Sequence, residues 1–109
     1  MKKVFAIAVL AFSVCAAAST WNNVSLIDKN CSRKATADPD AHTTKCALGC
    51  ASSGYGILTS DGKFLKFDST GDQESLKLLK ATEKKDHLRV TVDGDEKDGT
   101  IAVKSIKLD

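Results

Sequence analysis

The sequence predicts a mainly β domain of α+β type with five strands, and three observations carry that reading. Leu88, Val90 and Val92 alternate strictly with Arg89, Thr91 and Asp93, the period-two pattern of a half-buried strand. Asp61-Gly62 separates two short apolar runs, Tyr55 to Thr59 and Lys63 to Phe67, and so marks a hairpin. A single amphipathic helical stretch then falls between the third and fourth strands.

Taken in order, Trp21 to Asp28 reads as the first strand, with Val24 and Leu26 alternating against Asn23 and Ser25. Beyond Cys31 the apolar rhythm stops and a polar surface loop follows. Asp38, Pro39 and Asp40 then form a helix start: an N-cap, a first-turn proline and an acid at the positive helix end. The helix they predict runs from Pro39 to about Cys50, and Gly54 and Gly56 return the chain to extended form. After the Asp61-Gly62 hairpin, Asp72 is the expected cap of a second helix from Gln73 to about Thr82, with Leu76 and Leu79 facing the core. The final hairpin is expected to turn through an acidic loop from Gly94 to Gly99. Its return strand holds Ile101 and Val103 in one phase and Ile106 and Leu108 in the other, which requires a bulge near Lys104 and Ser105. This element order is that of an OB-like, partly open five-stranded barrel with a helix between strands 3 and 4 and a Cys-bearing helical insertion after strand 1. A small open α+β sheet satisfies the same order but leaves its edges unprotected.

The N-terminus predicts the compartment. Lys2 and Lys3 precede an apolar run from Val4 to Val14, and Ala16 and Ala18 suit an A-x-A cleavage site, so residues 1–18 read as a secretory signal peptide and 19–109 as one domain. Cys15 would leave with the leader; making it a lipoprotein N-terminus instead lacks the small residue expected just before it. The expected location is secreted or periplasmic. The apolar run is short for a bilayer span, and no later stretch approaches one. Lys2 and Lys3 also account for the excess of 16 basic over 14 acidic residues. The mature chain is therefore balanced, with no general attraction to nucleic acid or an anionic membrane. Lys77, Lys80, Lys84 and Lys85, interrupted by Glu74, Glu83 and Asp86, read as a solvated helix face.

Three cysteines and a histidine, Cys31, His42, Cys46 and Cys50, carry the chemistry. On one helix His42, Cys46 and Cys50 fall at i, i+4 and i+8 along a single face. Side chains at i and i+4 hold their Cβ atoms about 5 to 6 Å apart, against about 3.8 Å in a relaxed disulfide, so Cys46 with Cys50 is disfavoured. Cys31 with Cys46 or Cys50 is the plausible bond, and one thiol is left over for a linked dimer or a free role. The other reading is a metal site: one imidazole and up to three thiolates suit zinc or cuprous copper. His42 and Cys50 would stand about 12 Å apart along the helix axis, so one tetrahedral site needs the helix to break, with Gly49 the candidate. C-x-x-C and C-x-x-C-H are both absent, which removes the best-defined redox and haem signatures.

Other residues offer less. Asp93, Asp95, Glu96 and Asp98 lack EF-hand spacing, His87 reads as a surface histidine, and Trp21 and Tyr55 read as core or rim packing before an aromatic ligand face. Cys46 beside His42 is the one pairing that leaves a catalytic thiol open. Asn23-Val24-Ser25 and Asn30-Cys31-Ser32 are glycosylation acceptors in a eukaryotic secretory pathway.

Asp28-Lys29-Asn30-Cys31, then His42, Cys46 and Cys50, then Asp61-Gly62-Lys63 and a terminal Val90-x-Val92 hairpin form a pattern that resembles small secreted bacterial proteins of unknown function with an OB-like sheet. The resemblance spans nearly all of the mature chain and implies no activity. The expectation is a non-enzymatic exported binding module, with Cys31, His42, Cys46 and Cys50 as candidate ligands for zinc or copper. Its alternative is a structural or interaction domain stapled by a disulfide from Cys31.

Overall fold

The computed structural model describes residues 18–109; apart from Ala18, the expected leader, with Cys15, lies outside the described residues. Strand β1 (Ala18–Asp28) is followed by an insertion, then by β2 (Tyr55–Leu58), β3 (Phe64–Phe67), a long helix, β4 (Arg89–Lys97) and β5 (Thr100–Leu108). The strands close into a barrel in the order β1-β2-β3-β5-β4. All neighbours are antiparallel except β3 and β5, joined by a short parallel seam at Lys66↔Thr100 and Phe67↔Ile101. This is the OB-like order, with the barrel closed rather than partly open. No helix among the described residues is long and apolar enough to cross a membrane.

The insertion contains helix α1 (Ser32–Ala35) and helix α2 (Thr44–Gly49), separated and flanked by 3-10 turns at Lys29–Cys31, Pro39–Ala41 and Ala51–Ser53. The single helix expected from Pro39 to Cys50 is therefore corrected to a turn, an extended break and a shorter helix. Thr43 decides where α2 begins, since its hydroxyl accepts the Cys46 N–H at 3.1 Å. A β-branched residue with a hydroxyl is worth more as a cap than inside the helix. Asp38 makes no side-chain cap. Gly49 is the last residue of α2, and Cys50 leaves the helical region with φ −111° and ψ 27°.

Two further boundaries move. The long helix, α3, runs Ser69–Ala81 and is capped by Asp68, whose Oδ1 accepts the Gly71 N–H at 3.0 Å and the Val103 N–H at 3.3 Å. Asp72 lies inside α3, where it accepts the Tyr55 N–H at 2.8 Å and the Lys66 ammonium at 3.1 Å, tying α3 to β2 and β3. The acidic stretch read as a loop from Gly94 is strand as far as Lys97, and only Asp98 and Gly99 turn, both with positive φ. Two left-handed residues in a two-residue connection are the geometry that matches strand twist.

The expected bulge is present: Asp93 faces Ser105 and Gly94 faces Val103, so Lys104 is the extra residue. Ile101 and Val103 are buried, and beyond the bulge Ile106 and Leu108 still pack against the core. A second bulge in β1, at Asn22 and Asn23, puts Asn23 at φ 52°.

Leu26, Tyr55, Ile57, Leu65, Phe67, Leu79, Leu88, Val90, Val92, Ile101 and Val103 build the core within the barrel and under α3. Ile27 and Leu58, which alternate to the outside, form a separate cluster under Ala35 with Cys31 and Phe64. Covering two such side chains stabilises by about 1.5 to 3 kcal/mol each at full burial. The insertion is thus a lid over the outer face where β1 meets β2, and it carries the cysteines there. Tyr55 is core and Trp21 packs against it, in line with the packing reading.

Candidate metal centre

The site grows from the end of β1. Asp28 shares the inward phase of Leu26 and is fully buried, a position that an isolated carboxylate could not hold cheaply. It is satisfied locally. Its Oδ2 accepts the Cys31 N–H at 3.0 Å, closing the 3-10 turn that lifts the chain off the barrel. Its Oδ1 lies 2.6 Å from Nε2 of His42, whose side chain is only 7% exposed. Nε2 is thus the ring nitrogen engaged with the Asp28 carboxyl group, and Nδ1 takes no part in that bond.

His42 reaches Asp28 because the insertion breaks there. Its φ of −68° and ψ of 127° are extended values, between the Pro39–Ala41 turn and the Thr43 cap. The surrounding chain is pinned to the entry of β4: Thr44 N–H donates to the Lys85 carbonyl at 2.8 Å, His87 N–H to the Asp40 carbonyl at 3.0 Å. Arg89 on β4 clamps the Asp40 carboxylate with Nε at 3.0 Å and Nη2 at 2.9 Å. That guanidinium holds the Asp40 carboxyl below its ordinary range.

The four predicted ligands are not on one helix face. Cys50, the residue that closes α2, lies beside Cys31. One donor atom each from Asp28, Cys31 and Cys50 lie within 4.8 Å of one another. His42 stands behind this group as the partner of Asp28. Cys46 is exposed and is not in the group, although it lines a surface cavity of about 430 Å³ with Cys31, His42, Lys34 and Ala35. Cys31, Cys46 and Cys50 are all free thiols, so the Cys31 cross-link is not formed in this structure. Of its two candidate partners, Cys50 is the one whose sulfur shares the close group with Cys31.

Electrostatics follow from the buried acid. Partial burial and the Asp28 carboxylate push the Cys31 thiol up, with smaller contributions from Cys50 and Cys46. Burial first, then Asp28, Asp72 and Cys50, push the Tyr55 phenol up to about 12. Tyr55 donates to the Ala47 carbonyl at 2.7 Å and so fastens α2 to β2 beneath the site. A cation beside Asp28 would reverse the effect on Cys31 by stabilising its thiolate.

Asp28 is the residue that spacing arguments over the Cys/His set passed by. The signal for it was a carboxylate ending a strand three residues before a cysteine, the spacing of an N-cap. Elsewhere, Asp93 is occupied by Thr20 at 2.5 Å and Ser105 at 2.9 Å, and His87 pairs with its neighbour Asp86 at 2.8 Å.

No protein-family model, curated protein or solved structure matches this chain. The functional reading therefore rests on the geometry of this one cluster.

Proposed function

We propose that this chain is an exported, non-catalytic binding module whose Asp28, Cys31 and Cys50 hold a zinc-class ion, with His42 positioning Asp28. The observation that carries the reading is the convergence of three different donors within 4.8 Å, one of them a fully buried carboxylate. Tetrahedral zinc with Zn–S near 2.3 Å spaces its donors by about 3.4 to 3.8 Å, so the group needs a contraction of no more than about 1 to 1.5 Å. Two sulfurs with one oxygen favour zinc over cuprous copper, which prefers an all-soft set. Asp28 is already oriented by His42 and the Cys31 amide, as supporting hydrogen bonds orient ligands in metal sites. Export is part of the proposal and comes from the leader-like N-terminus.

Zinc titration of reduced, anaerobically purified protein against a chromophoric chelator tests this reading. One zinc per chain is expected, with uptake lost in Cys31→Ser and Cys50→Ser, weakened in Asp28→Asn and kept in Cys46→Ser. Absence of uptake by the unmodified chain sinks the proposal.

The second reading is a structural or interaction domain stapled between Cys31 and Cys50. Its support is the same sulfur proximity, in a small domain where a disulfide contributes about 2 to 4 kcal/mol. It predicts a native chain with one reactive thiol, at Cys46, and no metal.

A further inference from the structure

The two readings use the same pair of sulfurs, and that exclusivity is itself a chemical device. We infer that the cluster is a redox-operated release site, in which a low-molecular-weight disulfide oxidises Cys31 and Cys50 to a bond and expels the metal. This inference rests on the zinc reading of the site.

Three features support it. Cys31 and Cys50 are the only sulfur donors in the close group, so joining them removes two of three ligands at once and leaves the Asp28 carboxylate. A lone carboxylate is a weak zinc site, and release follows. Cys31 is also the member of the pair that lines the surface cavity of about 430 Å³, beside Lys34 and His42. Cys50 is not among the residues of that cavity, which assigns it the role of the resolving thiol. Finally, the two sulfurs already lie within 4.8 Å of each other, against about 2.05 Å in a bond, so they are neighbours before any oxidant acts.

The step balances. The Cys31 thiolate attacks one sulfur of R–S–S–R, forming a mixed disulfide and releasing one R–S⁻. The Cys50 thiolate then attacks the Cys31 sulfur, forming the Cys31–Cys50 bond and releasing the second R–S⁻. Two protein thiolates are oxidised, one external disulfide is reduced to two thiolates, and the zinc ion leaves unchanged in charge. A thiol reductant run in the opposite direction restores the site.

The experiment begins with zinc-loaded protein whose stoichiometry has been measured. Failure to load overturns the zinc reading and this inference with it, before any oxidant is added. Loaded protein is then treated with oxidised glutathione while a chromophoric chelator reports zinc and intact mass spectrometry with peptide mapping reports the thiols. The expected result is release of one zinc per chain in step with a Cys31–Cys50 bond, reversal by dithiothreitol, and the same course in Cys46→Ser. On metal-free Cys50→Ser, the glutathione adduct should accumulate at Cys31, since its resolving partner is gone. Zinc retained while the oxidant consumes a control dithiol, or released with glutathione on Cys46 and no Cys31–Cys50 bond, overturns the release mechanism while leaving zinc binding intact.

Discussion

His42 Nε2 and Asp28 Oδ1 sit 2.6 Å apart with side-chain exposures of 7% and 0%, and this pair joins the insertion to the end of β1. Fourteen positions of sequence separate them, and the extended break at His42 exists to span that gap. His42→Ala leaves Oδ1 of a buried carboxylate without its partner. Loss of a buried partner costs about 1 to 3 kcal/mol, read as a lower urea midpoint at unchanged slope. A midpoint equal to that of the unmodified chain would show that the pair contributes nothing to folding.

Tyr55 is the only tyrosine, so phenolate absorbance reports it alone. Its folded value, raised to about 12, exceeds the ordinary value near 10. The folded chain therefore keeps a proton that the unfolded chain gives up. Stability from this group is complete below about pH 10 and is lost as pH rises toward 12. Alkaline titration should show phenolate forming only above pH 10, together with unfolding; a free titration near 10 in folded protein contradicts the burial.

The Asp40–Arg89 clamp predicts the acid side. Arg89 depresses the folded Asp40 carboxyl, so its contribution is present above the unfolded value near 3.9 and disappears as pH falls through the lower folded value. Both side chains are about a third exposed, at 29% and 38%, so the contribution is at most about 1 kcal/mol. Asp40→Asn should lower stability at neutral pH and flatten its loss in acid, measured by urea unfolding at a series of pH values.

Gly71 in α3 is a packing glycine. An added Cβ would stand 2.6 Å from Phe67 Cβ and 2.6 Å from Val103 Cγ2. Helix propensity alone favours Gly→Ala by about 1 kcal/mol, whereas overpacking costs about 1 to 3 kcal/mol. Gly71→Ala should therefore destabilise, and a raised melting temperature would show that the barrel relaxes around α3.

Much of the barrel was legible in the chain because β1 and β4 carry period-two patterns and the Asp61-Gly62 turn marks the short β2 and β3 between them. Leu88, Val90 and Val92 are buried as their alternation required, and the phase change between Val103 and Ile106 located the Lys104 bulge. Local pattern was weaker for caps, where neighbouring acids compete: Asp68 caps α3, while Asp72, equally suited by type, is drawn to Tyr55 and Lys66. The Gly94–Gly99 stretch failed for a similar reason. Acidic residues look like loop, yet pairing with β5 holds Gly94 to Lys97 in the sheet.

What the sequence by itself determined is the succession of five strands along the chain, the turns at Gly62 and Gly99, and a cysteine-rich insertion after β1, since these depend on periodicity and on backbone freedom at single residues. Only the tertiary structure decided which donors meet. Helical spacing grouped His42, Cys46 and Cys50, but a buried Asp28 outbids that regularity by demanding a partner. His42 turns inward to supply it, Cys50 at the end of α2 lies beside Cys31, and Cys46 stays on the surface. Burial of one carboxyl group, a long-range effect that no local spacing contains, decided which of these side chains meet.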